Sequence, residues 1–264
     1  MAMEMSSVKY EMYEIWEFPP DGPQFAYTVV FLITSAEVKR LELKKRENEI
    51  APARIDSSLF TGIPPENLWP LPKEGMTQFC GSTDDKNVYV KGSNLSNYDM
   101  IQVVQPQGIA SLMLQEAGIC EEYLKKPPKN VARYLGYVTG QDGRVRGLCF
   151  DRYPELLRDR MYARRLPDVL RCVQDIRAGL EFLHNNRLAH NDIHAGNIML
   201  DDKGNAVIID FDSCRKDGAA LGLKPGIDLS LEMSAMGNDF AALEKLETEL
   251  KEAWAGLSWL ERLL

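Results

Sequence analysis

The stretch from His190 to Leu200 reads HNDIHAGNIML and contains two histidines, an aspartate and two asparagines. The whole chain has only three histidines, so two of them in one short stretch indicate a specific role. Asp192 and Asn197 are five residues apart, and the stretch ends in an apolar run. This pattern predicts a polar loop that leads into a short buried strand.

A further carboxylate follows thirteen residues after Asn197, where Asp210 ends the apolar part of NAVIIDFDS. That segment predicts a second short buried strand. Two carboxylates and an amide at the ends of neighbouring strands suit a magnesium–nucleotide site, because Mg²⁺ prefers one or two carboxylates together with phosphate oxygens. Phosphoryl transfer also needs a carboxylate that accepts the proton of the attacking hydroxyl.

The order of these motifs resembles that of the protein-kinase superfamily. HNDIHAGN resembles the catalytic loop H-R-D-L-x-x-x-N, and IIDFDS resembles the strand and D-F-G metal motif that follow it. VYVK, which ends at Lys91, resembles V-A-I-K. The resemblance covers roughly residues 79–250 and is closest to fungal kinase-like proteins that carry GLCF-x-x-YPE, HND and IIDFDSC in this order.

The resemblance implies a role for each motif residue. Asp192 would position or deprotonate the acceptor hydroxyl, and His194 is either a phosphate or substrate contact or a loop residue without such a role. ATP would lie near a hinge at residues 150–153, while Met113 and Met199 are interpreted as core residues. The implied ATP and Mg²⁺ site consists of Lys91, Glu116, Asn197 and Asp210, of which Asn197 and Asp210 would bind the metal.

Two of these assignments leave alternatives open. Glu116 is placed to pair with Lys91, but Glu121 or Glu122 of the same predicted helix also suits that role. Asp212 stands where the family has glycine and is interpreted as an exposed carboxylate rather than a third metal ligand. Asp239 resembles the aspartate that holds the backbone of the catalytic loop in the kinase family.

Several features depart from the kinase pattern. Before Lys91 the chain reads CGSTDDKN, with Gly81 alone in place of a glycine-rich loop and two aspartates that would repel a triphosphate. Asn191 replaces an arginine that receives an activation-loop phosphate in many protein kinases. His194 replaces a lysine, so that H-x-D-[IL]-H-x-x-N resembles the aminoglycoside and choline kinase branch. No A-P-E motif occurs between Cys214 and Asp239.

These departures keep three functional hypotheses open. The first is a phosphotransferase whose acceptor is a small molecule or a protein, with the small molecule favoured by the short region after Cys214. The second is a pseudokinase that binds partners or nucleotide without transfer. The third is a kinase scaffold with other chemistry, such as nucleotidyl transfer or a condensation step in secondary metabolism.

Hydrophobic patterning predicts the other elements. Stretches on both sides of PPDGP predict a β-hairpin, residues 35–50 are expected to be helical or irregular, and residues 51–75 form a proline-rich extended connector. Strands are predicted in KNVYVKG, VARYLGYVT and VRGLCF. Helices are predicted at Ile109–Lys126, at Leu166–Asn185 with Pro167 and Asp168 at its start, and from an N-cap at Asn238 or Asp239.

The expected fold class is α+β, a bilobal protein-kinase-like fold with a reduced C-terminal lobe. Residues 1–75 are assigned to an N-terminal β-hairpin extension and connector, 76–150 to a kinase-like N-lobe and 151–264 to a reduced helical C-lobe. The N-terminal extension lies outside the kinase-like motifs, and its expected roles are a lid, a dimer contact or a second substrate site.

Composition restricts the partners. The net charge is −8 and the pI about 5.1, which argues against nucleic acid or an anionic membrane as the main partner. Residues 144–146 and 158–165 are local basic stretches, interpreted as solvated helix faces. The five cysteines lack CxxC spacing, the N-terminus is too charged for a signal peptide, and the longest apolar run, Phe25–Ile33, is too short to span a bilayer. We therefore expect a cytoplasmic protein.

Overall fold

The computed structural model describes residues 8–96, 98–104, 107–221 and 233–256. The chain divides into two compact units, each assembled from several segments. The first unit consists of Met1–Pro72, Ser93–Ser111 and Thr139–Arg146. The second unit consists of Lys73–Gly92, Leu112–Val138 and Gly147–Leu264, and it contains all the predicted site residues.

The first unit contains a four-stranded antiparallel sheet with two helices. The strands, in sheet order, are β1 (Lys9–Glu17), β2 (Gln24–Ile33), β3 (Val38–Leu43) and β4 (Thr61–Gly62). The helices are α1 (Pro65–Leu68) and α2 (Tyr98–Val104).

Strands β1 and β2 form the predicted hairpin, in which Lys9 pairs with Ile33 and Glu17 with Gln24. Gly22 in the connecting turn has φ +109°, a conformation that favours glycine. Alternate residues of β2 enter two separate apolar clusters, Val29 and Phe31 on one side and Val30 and Leu32 on the other. Because both faces of β2 are buried, its apolar run is continuous rather than alternating.

Two expectations for residues 35–75 are wrong. Val38–Leu43 forms strand β3, not a helix, because its backbone pairs with β2 and its alternate side chains reach the two apolar clusters. Residues 51–75 are not simply an extended connector, since 3₁₀ turns at Pro52–Arg54 and Ser57–Leu59 precede β4 and α1. Prolines interrupt regular structure there, but they do not prevent burial of Phe60, Ile63, Leu68 and Trp69.

The second unit contains three small sheets and most of the helical residues. Its strands are β5 (Val88–Lys91), β6 (Tyr134–Thr139), β7 (Val145–Asp151), β8 (Glu155–Leu156), β9 (Leu188–Ala189), β10 (Ile198–Leu200), β11 (Ala206–Ile208) and β12 (Arg215–Lys216). The sheet orders are β5-β7-β6, β11-β10-β8 and β12-β9, with β6 and β7 extending into the first unit at one end. The helices are α3 (Gly108–Tyr123), α4 (Leu157–Tyr162), α5 (Val169–Asn185) and α6 (Met236–Ala255).

Helix α5 organises the second unit. Asp168 caps it by accepting a hydrogen bond from the Arg171 amide, as the sequence predicts. Its buried face includes Ile176, Leu180 and Leu183, and it packs against β9, β11 and α6. This packing positions the loops that follow β9 and β11, which carry the catalytic-loop and metal-motif residues.

Helix α6 begins earlier than predicted. Its N-cap is Ala235, not Asn238 or Asp239. Asp239 does not cap the helix because its carboxylate accepts hydrogen bonds from the loop after β9. Within the described residues, no helix is both long and apolar enough to cross a membrane.

Candidate active site

Lys91 lies at the centre of a network of carboxylates. It is the last residue of β5, and its Nζ donates to Glu116 Oε1, Glu116 Oε2 and Asp210 Oδ1, each at 2.7 Å. Asp212 Oδ2 lies 3.9 Å from the same nitrogen. Burial opposes the positive charge, but these three carboxylates raise the pKa of Lys91 well above its usual value. The side chain is therefore a permanent cation at physiological pH.

The metal motif after β11 is tied to α3 as well as to Lys91. The Phe211 amide donates to Glu116 Oε1 at 3.2 Å, and Gln115 Nε2 donates to the Asp212 carbonyl at 3.3 Å. Asp210 has φ +65°, which for a residue other than glycine costs about 1–3 kcal/mol. The surrounding hydrogen bonds and the fully buried Phe211 ring maintain this strained conformation.

The catalytic loop is fixed by a buried carboxylate. Asp239 is fully buried and accepts hydrogen bonds from the amides of His190 and Asn191, at 2.8 and 2.7 Å. His184 Nε2 donates to the same carboxylate at 2.8 Å. His190 Nε2 donates to the Ile209 carbonyl at 3.0 Å, which links the loop to the residue before Asp210. The predicted role of Asp239 in holding the loop backbone is confirmed.

Asp192 and Asn197 contact each other directly. Asn197 Nδ2 donates to the Asp192 carbonyl at 2.8 Å and to Asp192 Oδ2 at 3.1 Å. Because its nitrogen is used in this way, Asn197 presents its amide oxygen as the atom suited to a cation. His194 Nε2 lies 3.5 Å from Asp192 Oδ1, and the His194 side chain is 53% exposed.

An apolar cavity of about 310 Å³ borders Lys91 and Asp210. Its apolar and aromatic lining consists of Tyr89, Ala132, Phe150, Tyr153, Leu156, Met199 and Ile209. The hinge residues 150–153 line it, as the sequence predicts, whereas Met199 faces the cavity although it was interpreted as a core residue. A largely apolar cavity that Lys91 and Asp210 also line suits a heteroaromatic ring attached to phosphates.

Four lining residues, Tyr89, Ala132, Leu156 and Ile209, were not predicted from the sequence. Tyr89 lies two residues before Lys91 on the same face of β5, so strand alternation is a signal that could have identified it. Ile209 precedes Asp210 directly. Ala132 follows an isolated bridge between Val131 and Ile208, and no local sequence pattern marks it.

The segment before β5 contains turns. Asp85 Oδ1 accepts hydrogen bonds from the amide and side chain of Asn87, and Ser82 Oγ accepts one from the Asp84 amide. Among the described residues, β5 is an edge strand that pairs with β7. The described residues between 73 and 87 therefore supply no strand that pairs with β5. The sequence before Lys91 contains no glycine-rich loop. In the structure, these turns occupy the corresponding position before β5.

The residues present fit a magnesium–nucleotide complex. In the described ranges, no group of three or more His, Cys, Asp and Glu side chains is arranged to hold a metal ion by itself. Mg²⁺ in nucleotide sites takes one or two protein oxygens and completes its shell with phosphate and water. The oxygens of Asp210 and Asn197 match that small donor set, and Lys91 supplies a cation for phosphate.

Comparison with known proteins identifies similarity to kinases. The family model of the protein kinase domain matches residues 100–222, which include Glu116, the catalytic loop and Asp210 but begin after Lys91. Mitogen-activated protein kinase kinase kinase 3 of Arabidopsis thaliana is 31% identical over 100 residues, which cover 33% of this chain and 14% of that protein. Serine/threonine-protein kinase STY17 of Arabidopsis thaliana is 24% identical over 145 residues, covering 52% of this chain and 24% of that protein.

The chain thus spans about a quarter or less of the length of these curated relatives. Among solved structures, it is similar to a divergent kinase lacking the glycine-rich loop, which regulates membrane ultrastructure of the Toxoplasma parasitophorous vacuole. That similarity has a TM-score of 0.47 and 19% identity, and it covers 65% of this chain and 54% of that chain.

Proposed function

We propose that this chain, which has a protein-kinase-like fold of the α+β class, transfers the γ-phosphoryl group of ATP to a hydroxyl acceptor. The observation that carries the proposal is the contact of Lys91 with both Glu116 and Asp210 at the edge of an apolar cavity. A partly buried lysine held between two carboxylates has a desolvation cost, which a phosphate-binding role explains.

Each residue has a defined task in this proposal. Lys91 would contact phosphate oxygens, and Glu116 would hold the lysine in place through two charge-assisted hydrogen bonds. Asn197 and Asp210 would hold Mg²⁺. Bound ATP supplies the phosphoryl group, and Mg²⁺ offsets part of its negative charge.

Asp192 would act on the acceptor. The acceptor hydroxyl oxygen forms a bond to the γ-phosphorus, the bond from that phosphorus to the bridging oxygen breaks, and ADP leaves with the electron pair. Asp192 accepts the hydroxyl proton. Asn197 restrains the Asp192 carboxylate, so the loop contributes mainly positioning, which accounts for much of the rate enhancement in such chemistry.

A pseudokinase is the alternative that specific observations favour. Lys91 already contacts three carboxylates, which compete with phosphate for its charge. The turns before β5 also present Asp84 and Asp85 rather than glycine amides. The third hypothesis is nucleotidyl transfer or condensation in secondary metabolism. It involves the same residues as phosphoryl transfer but yields a different product.

The test is calorimetric titration with ATP, in the presence and absence of Mg²⁺, on the wild type and on Asp210→Ala. We expect magnesium-dependent binding that the substitution weakens at least about tenfold, the equivalent of roughly 1.4 kcal/mol. Binding followed by release of ADP with a hydroxyl acceptor supports transfer, and binding without turnover supports the pseudokinase. Absence of binding would refute the proposal.

A further inference from the structure

An arginine of another element lies beside the predicted catalytic loop. Arg158 belongs to α4, which packs on the 3₁₀ turn Ala195–Asn197 of the loop. Its Nη1 lies 3.6 Å from the position that a Cβ atom would take at Gly196. The guanidinium therefore lies next to the segment between His194 and Asn197.

The neighbouring imidazole has a defined tautomer. His194 Nδ1 accepts a hydrogen bond from the Gly196 amide at 3.0 Å, so this nitrogen carries no proton in the observed arrangement. The proton of the neutral ring is therefore on Nε2, which lies 3.5 Å from Asp192 Oδ1. A Cβ at residue 196 would approach His194 Cε1 to 2.7 Å, so glycine leaves the space that the ring occupies.

Arg158 is weakly compensated by the carboxylates around it. Its Nε is 3.5 Å from Asp159 Oδ1, and both side chains are more than half exposed. By contrast, Arg160 and Arg165 both contact Glu155. Residues 155–165 contain four arginines, one aspartate and one glutamate, a local charge of +2 in a chain of net charge −8. The surface beside the catalytic loop is thus positive although the chain is acidic.

We infer that the acceptor carries an anionic group, phosphate or carboxylate, which binds Arg158 and the Nε2–H of His194 while its hydroxyl faces Asp192. This inference rests on the proposed function and specifies its substrate class. A planar guanidinium offers two parallel donors to a phosphate or carboxylate, and the imidazole adds a third.

The three histidines make a direct test possible. His184 and His190 are bound to Asp239 and to the Ile209 carbonyl, whereas His194 is half-exposed, so its ring signals in histidine-labelled protein report on this surface. The titrants are glycerol 3-phosphate and glycerol, which differ by the phosphate alone. A serine peptide flanked by glutamates and the same peptide flanked by lysines form the second pair.

The expected result is a saturable shift of the His194 signal with glycerol 3-phosphate or with the acidic peptide, and none with glycerol or the basic peptide. Arg158→Met should weaken that binding at least about tenfold, since it removes a charge-assisted pair. Arg177→Met, which removes an exposed arginine of α5, is the matched control and should leave binding unchanged. Saturation with glycerol 3-phosphate would indicate a small anionic acceptor. Saturation with the acidic peptide would indicate an acidic segment of a protein.

Absence of a saturable shift with either anionic titrant, or equal affinity in Arg158→Met, overturns the inference. The experiment contains no nucleotide, so its result does not depend on ATP binding. Failure of the calorimetric titration would overturn the proposed function and, with it, the acceptor role of this anion site. Failure of the histidine titration would overturn the acceptor class alone.

Discussion

At the scale of single residues, the geometry of helix α3 affects which of its glutamates can pair with Lys91. Glu116 and Glu121 are five residues apart on α3, which places their side chains on different faces of the helix. Glu116 is 3% exposed and contacts Lys91, while Glu121 accepts hydrogen bonds from the Thr77 amide and hydroxyl. The sequence also left Glu121 and Glu122 as candidates, and only the tertiary contact with Lys91 selects Glu116.

Replacement of Glu116 by glutamine should therefore weaken ATP binding. The amide cannot neutralise Lys91, which then remains with Asp210 and Asp212 and is drawn towards the metal motif. We expect a loss of about tenfold in affinity, the size of one charge-assisted hydrogen bond. The measurement is calorimetric titration with Mg²⁺ and ATP.

Glu121→Gln is the matched control for this substitution. It removes the same charge from the same helix without touching Lys91, and it should leave ATP affinity unchanged. Equal losses in both variants would contradict the assignment of Glu116, because they would point to a general effect on α3.

Asp192→Asn should abolish turnover and leave nucleotide binding intact. The amide retains the shape of the side chain and its neighbours but cannot accept a proton. General-base removal typically costs a factor of about 10²–10⁴ in rate. ADP formation measured at saturating ATP, alongside ATP affinity, tests this expectation once an acceptor is known.

Asp202→Asn provides the control for Asp192→Asn, because Asp202 is an exposed carboxylate in the turn between β10 and β11. Its replacement should change neither rate nor affinity. Wild-type turnover in Asp192→Asn would show that the base has been assigned wrongly.

At the scale of elements, two helical glycines have opposite surroundings. A Cβ at Gly179 in α5 would lie 2.7 Å from the Asn130 carbonyl oxygen and 2.8 Å from Ile208 Cδ1. At Gly118 in α3 nothing lies within 4 Å of such an atom. The glycine in α5 therefore permits the close approach of the helix to β11, while the glycine in α3 has no packing role of this kind.

The two alanine variants should change stability in opposite directions. Gly179→Ala forces the backbone near Asn130 or the helix to move, and overpacking of this kind costs about 1–3 kcal/mol of unfolding free energy. Gly118→Ala should add about 0.5–1 kcal/mol, because alanine loses less conformational entropy in a helix. Urea unfolding of both variants checks the signs, and destabilisation by Gly118→Ala as large as that by Gly179→Ala would contradict the packing argument.

At the scale of the whole molecule, the first unit has two apolar clusters of its own. In the first unit, Val29, Phe31, Leu68 and Trp69 belong to one cluster, and Val30, Leu32 and Phe60 to another. The match to the protein kinase domain includes part of each unit but begins at residue 100, so most of the first unit lies outside it. The role predicted for residues 1–75, as a lid, a dimer contact or a second substrate site, stays a prediction.

Ligand binding should stabilise the protein by mass action. At a concentration of Mg²⁺ and ATP about one hundred times the dissociation constant, the expected gain is about 2.7 kcal/mol. The measurement is a thermal unfolding scan with ATP, with Mg²⁺, with both and with neither. A higher midpoint with both that disappears in Asp210→Ala is the expected outcome, and an identical rise in that variant would contradict the metal assignment.

Local sequence by itself determined the features that depend on near neighbours. The hairpin β1–β2 and the start of α5 at Asp168 follow from periodicity and turn residues. The α+β kinase-like class follows from the resemblance of the motifs, in their order along the chain, to those of the kinase superfamily. Such signals are short-range, because hydrogen bonding within a helix or turn and the alternation of a strand act over a few residues.

Tertiary structure alone decided the features that depend on distant residues. It selected Glu116 over Glu121, made Val38–Leu43 a strand beside β2, buried Phe60 and Trp69 in a proline-rich segment, and brought Arg158 next to Gly196. The contacts of Glu116 and Arg158 join residues far apart in the chain, whereas β3 pairs with the preceding strand β2. In each case a tertiary interaction, whether ion pairing, apolar burial or backbone pairing, outweighs local preference.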